Sequence, residues 1–302
     1  MLDPRQLEML LELSRHGSMR SVADLLGVTT STVSQQIGAL GRAVGTPVIE
    51  PDGRRVRLTP PGRRLAEHAG AVLAALESAR AALDPAADPR GTVRVASFAT
   101  GIRRSLLPVI RTLRTTHPDV NLQVLELEPP EALAAIAADE VDLALTYDYT
   151  LARAASDEML DSHPLWQARW RLAVPSDLAE DLVDDTGSSV EVLAAVADQG
   201  WIVNSRHTAD EDVLRTVSAL AGFEPRVTHR ADSLDLVRDL VAAGLGVGLV
   251  PEALPDVPGV IGVPLHDPEV LLRCFAMVRR GRGTWPPLAA VLELLLAGTR
   301  PG

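Results

Sequence analysis

The 302 residues carry 29 basic and 40 acidic side chains, a formal charge of -11 that would repel nucleic acid if it were spread evenly over the surface. One cysteine, Cys274, excludes an intramolecular disulfide and suits a reducing compartment. Aromatic residues at 3% exclude base stacking on aromatic platforms, and with neither a signal-peptide pattern nor a membrane-length apolar run the chain is expected in the cytoplasm.

Asp3 ahead of Pro4 reads as a helix cap followed by a first-turn proline, and Leu7, Met9, Leu10, Leu11 and Leu13 give that helix an apolar side up to Arg15-His16-Gly17. Residues 17–37, GSMRSVADLLGVTTSTVSQQI, then predict a short helix, a tight turn at Gly27-Val28-Thr29 and a second helix. Val22, Ala23, Leu25 and Leu26, followed by Val33, Ile37 and Leu40, recur at helical spacing and would pin this pair onto the first helix. The outward positions are Thr30, Ser31, Thr32, Ser34, Gln35 and Gln36, and Ser18 and Thr29 complete the candidate DNA-contact set. Glutamine can pair bidentately with adenine, and serine and threonine can bond base edges or phosphate, which suits a helix seated in the major groove. A polar hairpin in an all-helical domain would share this pattern, and the flanking sequence argues against it.

Pro47-Val48-Ile49-Glu50 and Arg54-Arg55-Val56-Arg57-Leu58 bracket Pro51-Asp52-Gly53, predicting a two-stranded wing whose Arg54, Arg55 and Arg57 face phosphates. Residues 1–65 hold nine arginines against six acids, whereas the remainder holds 20 against 34. The acidic whole therefore conceals a basic head, and only that end can approach a duplex. Every basic side chain is arginine, so each phosphate contact can be bidentate.

Gly17-Ser18, Ala23, Leu26, Val28, Val33-Ser34, Gln36-Ile37, Leu40, Val44-Gly45 and Leu58-Thr59-Pro60-Pro61-Gly62 together resemble the winged helix-turn-helix of the LysR-type transcriptional regulators. The resemblance extends over nearly the whole chain. It departs at Gly41, where glutamate is usual, at Val48-Ile49 in place of Leu-Phe, and at Pro51, where an arginine commonly reaches the DNA backbone; Arg54, Arg55 and Arg57 could take over that phosphate role.

From Thr59 to Asp84, between Pro60-Pro61-Gly62 and Pro85, a single long helix is expected. Leu65, Ala69, Val72, Leu76, Ala79 and Leu83 follow an unbroken four-three spacing, which points to pairing with another helix. The resemblance implies that this linker is a dimer contact, as an inverted-repeat operator requires, and that the assembly is a dimer or tetramer. Pro85-Ala86-Ala87-Asp88-Pro89-Arg90-Gly91 reads as a hinge.

Beyond the hinge, strand-like and helical runs alternate: Val93–Ala96, Leu106–Thr115, Val120–Leu127, Pro130–Ala138 and Val141–Leu145, then Arg169–Val174, Val190–Val196, Trp201–Val203, Glu211–Leu220, Arg226–His229, Ser233–Ala243 and Val247–Leu249. The fold class expected is α/β: a helical winged helix-turn-helix over 1–58, a linker helix and hinge over 59–91, and two α/β lobes over 92–302. Lobe 1 takes about 92–163 and 268–302, lobe 2 about 164–267, with crossings near Thr146–Pro164 and Val263–Val270 and a last helix, Pro287–Leu296, returning to lobe 1. The resemblance implies a periplasmic-binding-protein-like effector domain with a small-molecule cleft between the lobes.

Ligands in open α/β sheets sit beyond the carboxyl ends of strands and at helix N-termini. That rule selects Ser97, Phe98 and Thr100 after the first strand, Thr146 and Tyr147 at the crossing, Asn204, Ser205 and Arg206 after the Trp201–Val203 strand, and Gly246 and Val247. Asp148 could balance Arg206 across the cleft. Hydroxyls, an amide and arginines favour a polar or anionic effector, and Phe98 and Tyr147 allow an aromatic one.

The glycines of Ala242–Val250 lack the third glycine of a dinucleotide fingerprint, no two histidines have metal-site spacing, and neither a nucleophile elbow nor a phosphate loop is present. No enzyme, cofactor or metal is therefore expected. The partners expected are double-stranded DNA, a small effector, further copies of the chain and RNA polymerase. The alternative is a solute-binding or catalytic α/β protein fused to a DNA-binding head, which ligand turnover would distinguish. In a binding selection, Ser34→Ala and Gln35→Ala are expected to reduce discrimination between operator variants, whereas Arg55→Ala weakens all DNA alike and lowers the salt slope by about one. Unchanged sequence preference in Gln35→Ala would show that the recognition face lies elsewhere.

Overall fold

Asp3 accepts a hydrogen bond from the Arg5 N–H at 2.9 Å and opens α1 (Pro4–His16), which Gly17 closes in the left-handed conformation at φ 62°. Ser18 and Thr29 cap α2 (Met19–Leu26) and α3 (Thr30–Val44) by the same chemistry. The structure is a computed structural model describing residues 2–298 apart from 53–54, 84–87, 156, 184–186 and 205–208. Leu10, Val22, Val33, Ile37 and Leu40 are fully buried in one three-helix core. The wing follows as an antiparallel pair, β1 (Ile49–Asp52) and β2 (Arg55–Leu58).

Thr59 joins the wing to the linker helix α4 (Pro60–Leu83). Its hydroxyl donates to the Pro47 carbonyl at 2.7 Å and accepts from the Gly62 N–H at 3.1 Å. A Cβ on Gly62 would lie 1.9 Å from the Val48 carbonyl oxygen, so the Thr-Pro-Pro-Gly run is a cap, two first-turn prolines and a backbone crossing that only glycine fits. Gly41 is buried with its Cβ position 3.3 Å from the Thr46 carbonyl oxygen, which leaves little room for a glutamate there.

The linker stripe divides. Leu65 and Ala69 pack into the head's own core beside Ala66 and Leu73, while Val72, Leu76, Ala79 and Leu83 are exposed along the rest of the helix. The four-three spacing does not say which neighbour a helical face meets, and α1 covers the first two positions.

Lobe 1 is built from β3 (Gly91–Ser97), a helical stretch of α5 (Ala99–Gly101), a π turn (Ile102–Leu106) and α6 (Leu107–Thr116), then β4 (Val120–Glu126), α7 (Pro129–Ala137) and β5 (Leu143–Tyr149). Strand β3 pairs in parallel with both β4 and β5. The chain crosses on β6 (Leu160–Pro175) and forms α8 (Ser176–Val183), α9 (Ser189–Ala195), β7 (Gly200–Asn204), α10 (Ala209–Leu220), β8 (Arg226–Ala231), α11 (Leu234–Ala242), β9 (Gly248–Pro251) and β10 (Val260–Pro264). It returns on β11 (Leu271–Arg279) and ends with α12 (Pro286–Ala297), which packs on β3 and α6 of lobe 1.

The crossing differs from the expected one. Instead of a connection ending near Pro164, β6 is one strand that serves both lobes: its first half pairs antiparallel with β11, and its second half with β9 and β10. Pro164 sits opposite Phe275 beside a register shift at Cys274/Phe275, an irregular point of the ladder of the kind at which a strand tolerates proline. The sheet is accordingly mixed, and α8 and β10 are elements that the hydropathy runs did not announce. Strands β7 and β8 pair in parallel and join β9 through a Trp201–Val247 bridge.

Charge fastens the head to lobe 1. Asp142 is buried and accepts from Arg94 at 2.9 and 3.1 Å and from Arg282 at 2.8 Å, while Arg15 of α1 donates to Asp139 at 2.9 Å and lies 4.0 Å from Asp142. Burial pushes the Asp142 carboxyl up, but the Arg94 hydrogen bonds and charge, with the Arg282 charge, more than reverse this and hold it below the usual carboxylate range. Asp142→Asn is expected to destabilise the protein by about 3–5 kcal/mol, because the buried Arg282 guanidinium and the half-buried Arg94 lose their counter-charge. A depressed folded-state value contributes stability above the unfolded value of about 3.9 and loses it as pH falls through the folded value. Urea unfolding at neutral pH and below about pH 4 should therefore show the gap between wild type and Asp142→Asn narrowing in acid.

Candidate effector cleft and DNA-facing surface

On α3, Thr30, Ser31, Ser34 and Gln35 are exposed side by side. Thr29 is exposed as well, but its hydroxyl caps the helix by accepting from the Thr32 N–H at 3.1 Å and lies 2.9 Å from the Thr32 hydroxyl. Gln36 is half-buried and its amide oxygen accepts from Gln6 Nε2 at 3.1 Å, so α1 orients it. Ser18 caps α2 through the Ser21 N–H at 3.4 Å. In the wing, Arg57 pairs with Glu50 across the ladder at 2.9 Å; Arg54 and the side chain of Arg55 lie outside the described residues.

Between the lobes lies a cavity of about 440 Å³. Of the candidates read from the sequence, Phe98, Thr100, Tyr147 and Asn204 line it. Ser97 does not: it is fully buried, its hydroxyl donates to the Phe98 carbonyl at 3.2 Å, and a Cβ on Gly101 would stand 2.5 Å from it. Thr146 is buried in β5 opposite Phe275, on the face away from Tyr147, because side chains alternate along a strand. Gly246, at φ 148°, brings its backbone so close to Gly200 that a Cβ would be 2.2 Å from that carbonyl oxygen, and Val247 is buried in the bridge to Trp201. These two build the lobe 2 sheet and do not reach the cleft. Ser205 and Arg206 lie outside the described residues. Asp148 is paired with Arg273 at 2.8 and 2.6 Å; the balance expected with Arg206 falls on a residue outside the described ones.

Sequence reasoning missed the wall that β6 supplies. Trp166, Ala168 and Trp170 recur at a spacing of two and line the cavity together. Trp166 and Ala168 fall between the crossing expected up to Pro164 and the run expected from Arg169, so the alternation is visible only once β6 is known to be continuous. Also missed were Arg103 and Arg104, carried by the π turn, and five carboxylates: Glu126, Glu128, Asp210, Asp232 and Asp235. Of the groups on which the polar or anionic effector was expected, Asn204 lines the cavity, Ser97 is withdrawn from it and Arg206 lies outside the described residues.

The cavity floor is a hydrogen-bonded cluster that spans both lobes. Tyr149 of β5 donates to Asp210 Oδ1 at 2.6 Å, and Tyr147 donates to Asp210 Oδ2 while lying 3.2 Å from Glu128 Oε2. Asp210 stands in the first turn of α10, where the helix dipole favours negative charge. Burial, then the Asp210 charge, push the Tyr149 hydroxyl well above its ordinary value, so it remains a donor. Phe98 packs edge-on to Tyr147 at 4.7 Å and Tyr149 edge-on to Trp170 at 5.4 Å, which fixes the ring positions. Arg104 lies over the Trp166 ring at 4.2 Å, and the Trp166 indole N–H donates to Ser105 at 2.8 Å. A site of this size, polar at its floor and aromatic at its walls, can hold a small molecule and couple its binding to the spacing of the lobes.

Residues 4–63 match the family model described as bacterial regulatory helix-turn-helix protein, lysR family, and residues 86–300 match that of the LysR substrate binding domain. The chain is 28% identical over 274 residues to the transcriptional dual regulator GltC of Bacillus subtilis, covering 89% of this chain and 88% of that one. It is 36% identical over 156 residues to a probable hydrogen peroxide-inducible genes activator of Mycobacterium xenopi, covering 51% and 80%. A full-length OxyR variant from Pseudomonas aeruginosa shares the fold with a TM-score of 0.74 at 19% identity, over 99% of this chain and 95% of that chain. A basic head with a polar recognition helix, joined by one long helix to two lobes around a cleft, agrees with both matches, and the chain belongs to the LysR family of DNA-binding transcriptional regulators.

Proposed function

We propose that the protein reads an inverted-repeat operator in the cytoplasm as a dimer or tetramer and changes its promoter activity when a small polar molecule enters the cleft. Ser34 and Gln35, with Thr30 and Ser31, form the base-reading face, and the wing arginines meet phosphates. The exposed stripe of Val72, Leu76, Ala79 and Leu83 pairs with a second copy. RNA polymerase is the partner through which occupancy acts on transcription. The observation that carries this reading is Asp210, a lobe 2 carboxylate held by two lobe 1 tyrosines at the cavity floor. A ligand that replaces or reinforces those bonds favours one lobe spacing over another, and a coupling of about 1–3 kcal/mol is enough to shift occupancy.

The relative named for peroxide induction does not carry that role here. A thiol response to peroxide needs an accessible thiolate and, for a disulfide, a second cysteine. Cys274 is the one cysteine of the chain, is buried in β11, and has its thiol pushed up, chiefly by burial.

Two measurements test these readings. Selection of genome fragments by the full-length protein at physiological salt should retain a dyad-symmetric site; retention without sequence preference would overturn the operator reading. In native buffer, Cys274 should react with a disulfide reagent at least about a hundredfold more slowly than after unfolding in urea, since reaction requires opening of the core. A fast native reaction would reopen thiol sensing.

A further inference from the structure

We propose that the effector carries a hydroxyl group, which enters a small recess beside the cleft and is received there by Trp170 and Asn204 of lobe 2. This rests on reading the cleft as the effector site. Trp170 is 4% exposed, and its indole N–H, a donor, has no hydrogen-bond partner. Asn204 Oδ1, an acceptor, is buried and likewise without one. Both residues line the cleft, and both also line an adjoining cavity of about 10 Å³ whose further walls include Val203, Leu214 and Leu249. Those apolar side chains offer neither donor nor acceptor. A polar atom left unpaired away from water is costly, so two of them bordering one recess point to a partner from outside the chain.

The size of the recess fixes the chemistry of that partner. Its volume suits one water-sized atom and no larger group. A single atom that serves both residues must accept from the Trp170 N–H and donate to Asn204 Oδ1, which a hydroxyl oxygen does. A carboxylate has no proton to give, an ammonium has no lone pair to offer, and an ether oxygen only accepts. Trp201 is fully buried, borders the same recess and has a second unpartnered indole N–H, which matches the remaining lone pair of a hydroxyl. Water has the same capacity, and the effector's hydroxyl takes the place of one water molecule. The body of the ligand then lies in the cleft against Phe98, Tyr147 and Trp166, so an anchor in lobe 2 is joined to a wall that includes lobe 1.

Three probes that share a phenyl frame test the class on the full-length protein: 2-phenylethanol, its methyl ether and 3-phenylpropionate, each titrated at neutral pH and read as a Kd by tryptophan fluorescence. Trp166 and Trp170 line the cleft and serve as reporters. The alcohol is expected to bind at least about tenfold more tightly than either of the others, because a site that hydrogen-bonds a hydroxyl rejects an analogue that leaves its groups unpaired. Trp170→Phe and Asn204→Leu should each reduce that advantage to less than about threefold. If Trp170→Phe does not fold, Asn204→Leu carries the test alone, because Asn204 is half-buried at the end of β7. An ether that binds as well as the alcohol would show that the recess keeps water and takes no part of the ligand, and would overturn the proposal. So would a carboxylate that binds as tightly, no binding of the alcohol, or an advantage unchanged in the variants. Fragment selection on the same preparation separates the two levels: a dyad site recovered without preference for the alcohol removes the hydroxyl recess only, whereas loss of all sequence preference removes the regulator reading beneath it.

Discussion

One strand carries the architecture of the sensing half. Because β6 pairs with β11 in its first half and with β9 and β10 in its second, the two lobes share a continuous backbone ladder, and their separation is set by hydrogen bonds that neither lobe can break alone. The same strand turns Trp166, Ala168 and Trp170 to one side, so the element that connects the lobes also walls the space between them. Strain or relief at that wall is therefore felt directly by both lobes.

Two buried aspartates complete the mechanics in opposite ways. Asp142 is held by Arg94 and Arg282 close to Arg15 of the head, a largely buried ionic joint between the head and lobe 1. Asp210 is held by two neutral tyrosine hydroxyls at the floor of an open cleft, where a ligand can compete for it. Breaking the first leaves the buried Arg282 charge without its partner; loosening the second exchanges one set of hydrogen bonds for another. A rigid joint and an exchangeable one in the same chain allow an event in the cleft to be transmitted rather than absorbed.

The frame and the cleft rest on different kinds of residue. The frame rests on features that tolerate little variation: Gly62 against Val48, Thr59 bonded to both sides of its turn, and Gly246 against Gly200. The cleft rests on side chains at the ends of elements, where a substitution alters ligand preference without disturbing the core.

The sequence by itself determined the elements whose signals are local. Asp3 announced the first helix start, Gly17 its end and Gly27-Val28-Thr29 the turn between the next two helices, and the apolar spacing in residues 4–40 the core of the head, because caps and periodicity act within one or two turns. The alternation of strands and helices likewise located most of both lobes. What only the tertiary structure decided were matters of pairing and direction. Spacing could not tell that Leu65 and Ala69 meet α1 while Leu76 and Leu83 stay exposed, that Pro164 lies within a strand at a bulge, or that Ser97 and Thr146 turn inward while Tyr147 turns to the cleft. Least legible of all was Asp210, which reads as an ordinary acid in a helix's first turn. Its role arises from two tyrosines about sixty residues away in the chain, brought to it by the packing of one lobe against the other.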